Sequence, residues 1–354
     1  MKILHTADIH LREYEDDRWK TLQRLIKIGK KEKIELFVIS GDLFDKDVNA
    51  ENLKLKIREL FSDTGFKFVI IPGNHDSESY KSGLYFGEDV FILTDLNKPF
   101  EYKDVKIWGL PFEPVEGEKI LHKLHSVANN LLADNTNILL YHGELLDASF
   151  SRKDFGEEGK GRYMPVKLSY FKDLNIDYVL AGHFHSKFDM WKLENGGYFV
   201  YPGSPVSITK REIGQRKVNI FEVGEPPEEY LLDTPHFEEV VIEFNPFVEK
   251  NPVEILKEHL KEVHSEARII LTVKGYINSE KIKMNEVELV KQIKEITKEK
   301  PIAEEHIEFR DIHTILEDGL FKSFMKKLEQ ADYNEEKKKQ VRELVIKAMM
   351  EIRT

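Results

Sequence analysis

The chain contains no cysteine. Disulfides and thiolate metal sites are therefore excluded, and any metal ion must be held by oxygen and imidazole. The same absence fits a reducing cytoplasm, the compartment expected here. No apolar run approaches the length that a membrane-spanning helix needs, so no membrane partner is expected. The opening residues, MKILHTADIH, lack a basic segment followed by an apolar stretch, and no secretory leader is read from them. Internal repeats and low-complexity tracts are missing too, which removes solenoids and disordered arrays. Positive charge is in the minority, with 53 Lys and Arg against 64 Asp and Glu and a net charge of −11. That balance excludes a protein that coats nucleic acid through overall charge alone, although it leaves room for local positive potential.

What is present is enough for two or three folded units: 354 residues, 41% of them hydrophobic and 33% charged. Up to about residue 225, short β-like runs alternate with helical patterns, which predicts an α/β domain. The runs are Lys2–Ala7, Leu36–Ser40, Lys67–Ile71, Val105–Gly109, Asn137–Tyr141, Tyr178–Ala181, Tyr198–Tyr201 and Lys217–Val223. Between the first two, Asp17–Lys31 carries Trp19, Leu22, Leu25, Ile26 and Ile28 on one side, the spacing of an amphipathic helix. Pro226-Pro227 breaks the pattern, and Thr234-Pro235 marks a joint. Residues 1–235 are thus expected to form the first domain and 236–311 a small α+β cap. Its elements are read as strand Glu239–Phe244, helix Pro252–Val263, strand Arg268–Lys274, helix Asn285–Lys298 and strand His306–Arg310. Residues 312–354 form a charged helical tail. Within it, after Asn334 as N-cap, Val341, Leu344, Val345, Ala348, Met349 and Ile352 make one stripe at helical spacing.

In α/β sheets, ligands gather beyond the carboxyl ends of the strands. Five ends here finish in hard ligands: Asp8-Ile9-His10, Gly41-Asp42, Gly73-Asn74-His75-Asp76, His142-Gly143 and Gly182-His183-Phe184-His185. Glycine stands just before the ligands at three of these ends and just after at one, where it lets the backbone turn and approach closely. Each piece alone could be a turn or a surface histidine, and His122, His125 and His236 are left out for that reason. Carboxylate, amide oxygen and imidazole suit Mn²⁺, Fe²⁺, Zn²⁺ or Ni²⁺ better than Ca²⁺. The candidate ligands Asp8, His10, Asp42, Asn74, His142, His183 and His185 exceed the needs of one ion. They suit two ions sharing a bridging carboxylate, an arrangement that clamps a phosphoryl group during in-line displacement.

At these residues the chain resembles the calcineurin-like metallophosphoesterase superfamily, whose blocks D-x-H, G-D, G-N-H-D/E, a histidine and G-H-x-H occur here in order between residues 8 and 185. The resemblance implies a β-sandwich flanked by helices, in four layers αββα. It also implies Asp8, His10 and His185 on a first ion, Asn74, His142 and His183 on a second, and Asp42 between them. His75 matches the histidine that protonates the leaving oxygen or holds the phosphate. The stretches ILHTADIHL, SGDLFDKD and YPGSP narrow the resemblance to the Mre11/SbcD-type DNA repair nucleases and the related YhaO-like exonucleases. That branch implies Mn²⁺, DNA as substrate, a homodimer, and a helical tail that binds the coiled-coil base of a Rad50/SbcC-type ATPase.

Three functions compete. A Mn²⁺-dependent DNA exonuclease or endonuclease is favoured by the cap and tail. A phosphodiesterase or nucleotidase acting on a small molecule would use the same ions and need neither. A degenerate scaffold would not keep the full ligand set together with His75. Lys210 and Arg211 are the candidate contacts to DNA phosphates, and Arg152, Lys153, Lys160, Arg162, Arg216 and Lys217 could act similarly.

Overall fold

A computed structural model of the chain describes residues 1–148 and 164–353, apart from 82, 129, 132 and 133. Arg152, Lys153, Lys160 and Arg162 lie outside the described residues. The backbone divides into two compact units, Met1–Phe237 and Glu238–Thr354.

In chain order the first unit contains β1 (Lys2–Thr6), α1 (Asp17–Glu32), β2 (Leu36–Ser40), α2 (Glu51–Phe61), β3 (Lys67–Ile71) and α3 (Ser77–Tyr80). There follow β4 (Val90–Ile92), β5 (Phe100–Tyr102), β6 (Val105–Leu110), α4 (Glu118–Ala128), β7 (Thr136–His142) and β8 (Tyr178–Gly182). The unit closes with β9 (Asp189–Lys192), β10 (Tyr198–Tyr201), β11 (Lys217–Glu222) and β12 (Glu229–Leu231). One six-stranded sheet has the order β12-β11-β1-β2-β3-β4 and the other β5-β6-β7-β8-β10-β9. Their central strands are parallel: β1 with β2, β2 with β3, β6 with β7, and β7 with β8. Every residue of β2 and β8 is buried, as a parallel strand covered on both faces requires.

Alternate side chains of these strands serve two cores. Ile3, Val38 and Val69 meet Ile107, Leu140, Leu180 and Val200 between the sheets. On the outer face of the first sheet, Leu4, Phe37, Ile39 and Phe68 pack with Leu22, Leu25, Ile57 and Phe61 of α1 and α2. On the outer face of the second, Leu139, Val179 and Phe199 pack with Ile120 and Leu124 of α4. The layers run helix, sheet, sheet, helix, the expected αββα fold. The pattern missed α2, α4 and the short strands β4, β5, β9 and β12. Three or four residues are too few to show a period, and each of these strands lies at or beside a sheet edge.

β13 (His236–Phe244) begins two residues before the boundary, and the second unit continues with α5 (Pro252–Glu262), β14 (Ala267–Ile277), α6 (Ser279–Ile282), α7 (Glu286–Thr297) and β15 (Ile302–Asp311). It ends in α8 (His313–Glu317), α9 (Gly319–Gln330) and α10 (Glu335–Arg353). The caps are local: Asn251 Oδ1 accepts from Val253 N ahead of Pro252, and Asn285 and Glu288 form a reciprocal capping box. The sheet runs β13-β14-β15, and Leu256, Leu260, Leu289 and Ile293 of α5 and α7 bury against Leu271, Val273 and Phe309.

The tail departs from the sequence reading in two ways. The part of the tail before Asn334 is two helices and not one, because Asp318 turns extended and caps α9 through Leu320 N and Phe321 N. Asn334 does start α10, accepting from Lys337 N at 2.8 Å. However, the buried face is rotated from the expected stripe. Ile346 reaches the core with Ile312, Ile315 and Phe321, while Val345, Met349 and Met350 pack around it. Leu344 is 66% and Ile352 84% exposed, and Ala348 is exposed with them. The apolar arc of α10 is wider than one contact face, and docking on α8 and α9 selected one edge of it.

Candidate metal centre

All seven candidate ligands lie in the first unit, at the carboxyl ends of β1, β2, β3, β7 and β8. The turn after β1 and the turn after β2 run side by side. Asp8 N donates to Gly41 O (3.1 Å), His10 N to Asp42 O (3.0 Å) and Leu11 N to Leu43 O (2.8 Å). Asp8, His10, Asp42 and His183 all have φ between 50° and 96°, a region that non-glycine residues rarely adopt. Such conformations persist where the surroundings over-determine them, and they gather at functional sites. The neighbouring glycines are required by the ligands themselves. A Cβ on Gly73 would overlap the Asp42 carboxylate, one on Gly41 the His142 ring, and one on Gly182 the Ser40 carbonyl.

The ligand atoms form two adjoining groups. In the first, His10 Nε2 lies 3.3 Å from His185 Nε2, and His185 Nε2 lies 3.7 Å from Asp8 Oδ1. In the second, Asn74 Oδ1 faces His142 Nε2 at 2.8 Å and His183 Nδ1 at 3.1 Å. Asp42 Oδ2 stands between them, 3.6 Å from His10 Nε2 and 3.4 Å from His142 Nε2. This oxygen is buried and accepts no hydrogen bond, whereas Asp42 Oδ1 accepts from His75 N at 2.9 Å. An orphaned carboxylate oxygen aimed between two nitrogen donors is costly without a cation and fits a bridging ligand. The residues present therefore fit a pair of divalent ions.

Electrostatics agree. Asp8 and Asp42 share one buried space, and burial raises the pKa of Asp8. Burial opposes ionisation of Asp42 as well, but His142, His10 and His75 hold its pKa low. Burial alone would lower His142, but the Asp42 charge lifts it to about 10. Burial likewise opposes protonation of His185, and its contacts with Glu212 and Asp8 lift it to about 9. Protons on these rings stand where cations would stand.

A second layer holds the rings. His142 Nδ1 pairs with the Ser40 carbonyl at 2.8 Å, which leaves Nε2 for the site. His10 Nδ1 faces Asp45 Oδ1 at 3.5 Å and His185 Nδ1 faces Glu212 Oε1 at 3.5 Å. Asp45 is buried, takes hydrogen bonds from Arg12 and Arg18, and also faces His75 Nδ1 at 3.6 Å. His75 is 16% exposed, edge-on to His10 at 4.8 Å between ring centroids, so it stands at the mouth of the centre. Asp76 is buried against the same loop and accepts from Gly73 N and Phe44 N. Burial, with the Asp42 charge, raises its pKa to about 7.

Asp45, Asp76 and Glu212 were not read as site residues. Asp45 and Asp76 sit inside the SGDLFD and GNHD stretches, where their spacing was a usable signal. Glu212 had none, since it lies in a run of charges, Lys210-Arg211-Glu212, that reads as surface. Lys210 and Arg211 are exposed on that loop. Arg216 is not a surface cation. It is buried, and its guanidinium is engaged by the carbonyls of His185, Ser186 and Ser204.

This bipartite centre on an αββα sandwich defines a metal-dependent phosphoesterase. Residues 1–187 match the calcineurin-like phosphoesterase family, and the chain belongs to it. It is similar to the DNA double-strand break repair protein Mre11 of Saccharolobus solfataricus, with 27% identity over 235 residues, 60% of this chain. The chain spans 56% of that relative's length. Among solved structures it is similar to TT1561 of Thermus thermophilus, with TM-score 0.42 and 15% identity over 61% of this chain and 92% of the other. It is also similar to a dimetal phosphatase from Danio rerio, with TM-score 0.44 and 11% identity over 62% and 91%. No helix among the described residues is long and apolar enough to cross a membrane.

Proposed function

We propose that the chain is a Mn²⁺-dependent DNA nuclease of the Mre11/SbcD type, acting in the cytoplasm on broken DNA. The observation that carries this reading is the orphaned Asp42 oxygen between two histidine-rich groups with His75 at their mouth. Similarity to a DNA repair protein over a longer stretch than the family match supports DNA over a small ester as substrate. When bound, two divalent ions supply Lewis-acid activation of water and neutralise the phosphate. Asp8, His10 and His185 would hold the first, Asn74, His142 and His183 the second, and Asp42 would serve both. His75 gives its proton to the departing ester oxygen, and Asp45 keeps its ring turned for that transfer. Lys210 and Arg211 contact the DNA backbone from the rim loop.

In this reading residues 1–235 form the nuclease domain, 236–311 the cap and 312–354 the partner-binding tail. The part of the tail stripe left in solvent, Leu344, Ala348 and Ile352, meets the coiled-coil base of a Rad50/SbcC-type ATPase as helix against helix. The test is digestion of linear duplex and single-stranded DNA by chelator-stripped protein, compared with hydrolysis of bis-p-nitrophenyl phosphate. Mn²⁺ is expected to restore DNA cleavage better than Mg²⁺, because imidazole ligands suit the softer ion. Hydrolysis of the small diester with no cleavage of any DNA refutes the nuclease and leaves a small-molecule phosphodiesterase.

A further inference from the structure

Of the three successive charges Lys210-Arg211-Glu212, only Glu212 turns inward, and it remains 3% exposed. Its carboxylate is held from within its own stretch of chain. Oε2 accepts from Ile208 N at 2.7 Å and lies 3.0 Å from Ser204 Oγ, while Oε1 accepts from Thr209 N at 3.3 Å and Thr209 Oγ1 at 3.2 Å. Its orientation is therefore set without any help from His185. Oε1 also lies 3.5 Å from His185 Nδ1, a buried ring nitrogen with no hydrogen bond of its own. The backbone of His185 is tied into the same network, since its carbonyl accepts from Ser204 N at 3.1 Å and from Arg216. Arg216, buried alongside, donates to the Glu212 backbone carbonyl at 3.5 Å, and its positive charge favours the ionised carboxylate.

Resting on the metal-centre reading above, we propose that Glu212 is the positioning residue of the first metal position. A fixed carboxylate on Nδ1 selects the Nδ1–H tautomer and turns the Nε2 lone pair toward Asp8 and His10. It also makes the ring a stronger donor. His142 in the second position is backed by the neutral Ser40 carbonyl, so loss of Glu212 should weaken one ion and spare the other.

The experiment titrates Mn²⁺ into chelator-stripped full-length chain by calorimetry at pH 6.5, 7.5 and 8.5, compares affinities after subtracting the competing His185 proton, and follows thermal unfolding of the metal-free protein. Glu212→Gln keeps the size of the side chain and most of its hydrogen bonds. It should lower the affinity of one ion by about 10- to 100-fold and leave the other within about threefold. Metal-free stability should stay close to wild type. The same variant in an Asn74→Ala background, where a ligand of the second position is gone, should show the loss on the ion that remains. Ser204→Ala frees the carboxylate without removing it, and should weaken the same ion by a smaller factor. This variant carries the test if Glu212→Gln does not fold. Unchanged affinities in the variants with two ions bound by wild type overturn the role of Glu212 alone. Equal weakening of both ions with a lower metal-free melting temperature makes Glu212 merely structural and overturns it too. A wild type that binds no Mn²⁺ overturns the metal centre itself.

Discussion

Metal affinity should climb steeply with pH, because protons occupy the centre when ions do not. Burial alone would favour neutral imidazoles, but Asp42 holds a proton on His142 up to about pH 10. Glu212 and Asp8 hold one on His185 up to about pH 9. An ion can use either ring only after its proton leaves. One pKa unit corresponds to about 1.4 kcal/mol. At pH 7 the His185 proton therefore costs the first position about 3 kcal/mol, and the His142 proton costs the second about 4 kcal/mol. Each position should bind about tenfold more tightly per pH unit, close to 100-fold between pH 6.5 and 8.5, and level off near pH 9 and 10 respectively. The check is calorimetry of Mn²⁺ binding at pH 6.5, 7.5 and 8.5 in two buffers of different ionisation enthalpy, which counts about one proton released per ion. Stability of the metal-free protein should move the other way. Both folded pKa values lie above the ordinary histidine value of 6.5, so their stabilising contribution is complete below pH 6.5 and is lost as pH rises toward 9 and 10. Affinity that changes less than about threefold across this range, or binding without proton release, would refute the reasoning.

Replacing His75 with alanine should leave both ions in place and reduce DNA cleavage by about 10²- to 10⁴-fold, the usual worth of a general acid, as single-turnover rates and metal titration together would show. Gly73→Ala puts a methyl group into the space of the Asp42 carboxylate, and loss of tight Mn²⁺ binding with a folded circular dichroism spectrum is the expected result. On α10, Ile346→Ala should destabilise the second unit by about 2–5 kcal/mol in denaturant titration. Leu344→Glu, on the exposed side, should stay within about 0.5 kcal/mol, and if the proposed partner reading holds it abolishes co-purification with a coiled-coil ATPase.

Much of the centre was legible in the residue order, because strands in parallel sheets read as continuous apolar runs and their ends are where ligands collect. Leu36–Ser40, Lys67–Ile71 and Tyr198–Tyr201 fall where the pattern put them, and Asp8, His10, Asp42, Asn74, His142, His183 and His185 lie at or just beyond the ends of apolar runs. Local chemistry was equally readable at Asn334, whose cap depends on a neighbour in sequence. Features that depend on distant parts of the chain were not. Glu212 looks like one more surface charge until the loop after β10 folds it under His185, and Arg216 looks like a phosphate ligand until three carbonyls enclose it. The partners of Asp45 were not legible either, since His10 and Arg12 reach it from the turn after β1, Arg18 from α1 and His75 from the loop after β3. The face that α10 buries is another such case. Its apolar arc permits several dockings, and only the packing of Ile346 against Ile312, Ile315 and Phe321 chose one, leaving Leu344 and Ile352 in water. Sequence alone determined the features that periodicity and nearest neighbours control. Tertiary structure decided which buried charges meet, because the energy of such a meeting depends on distance in space and has no counterpart in spacing along the chain.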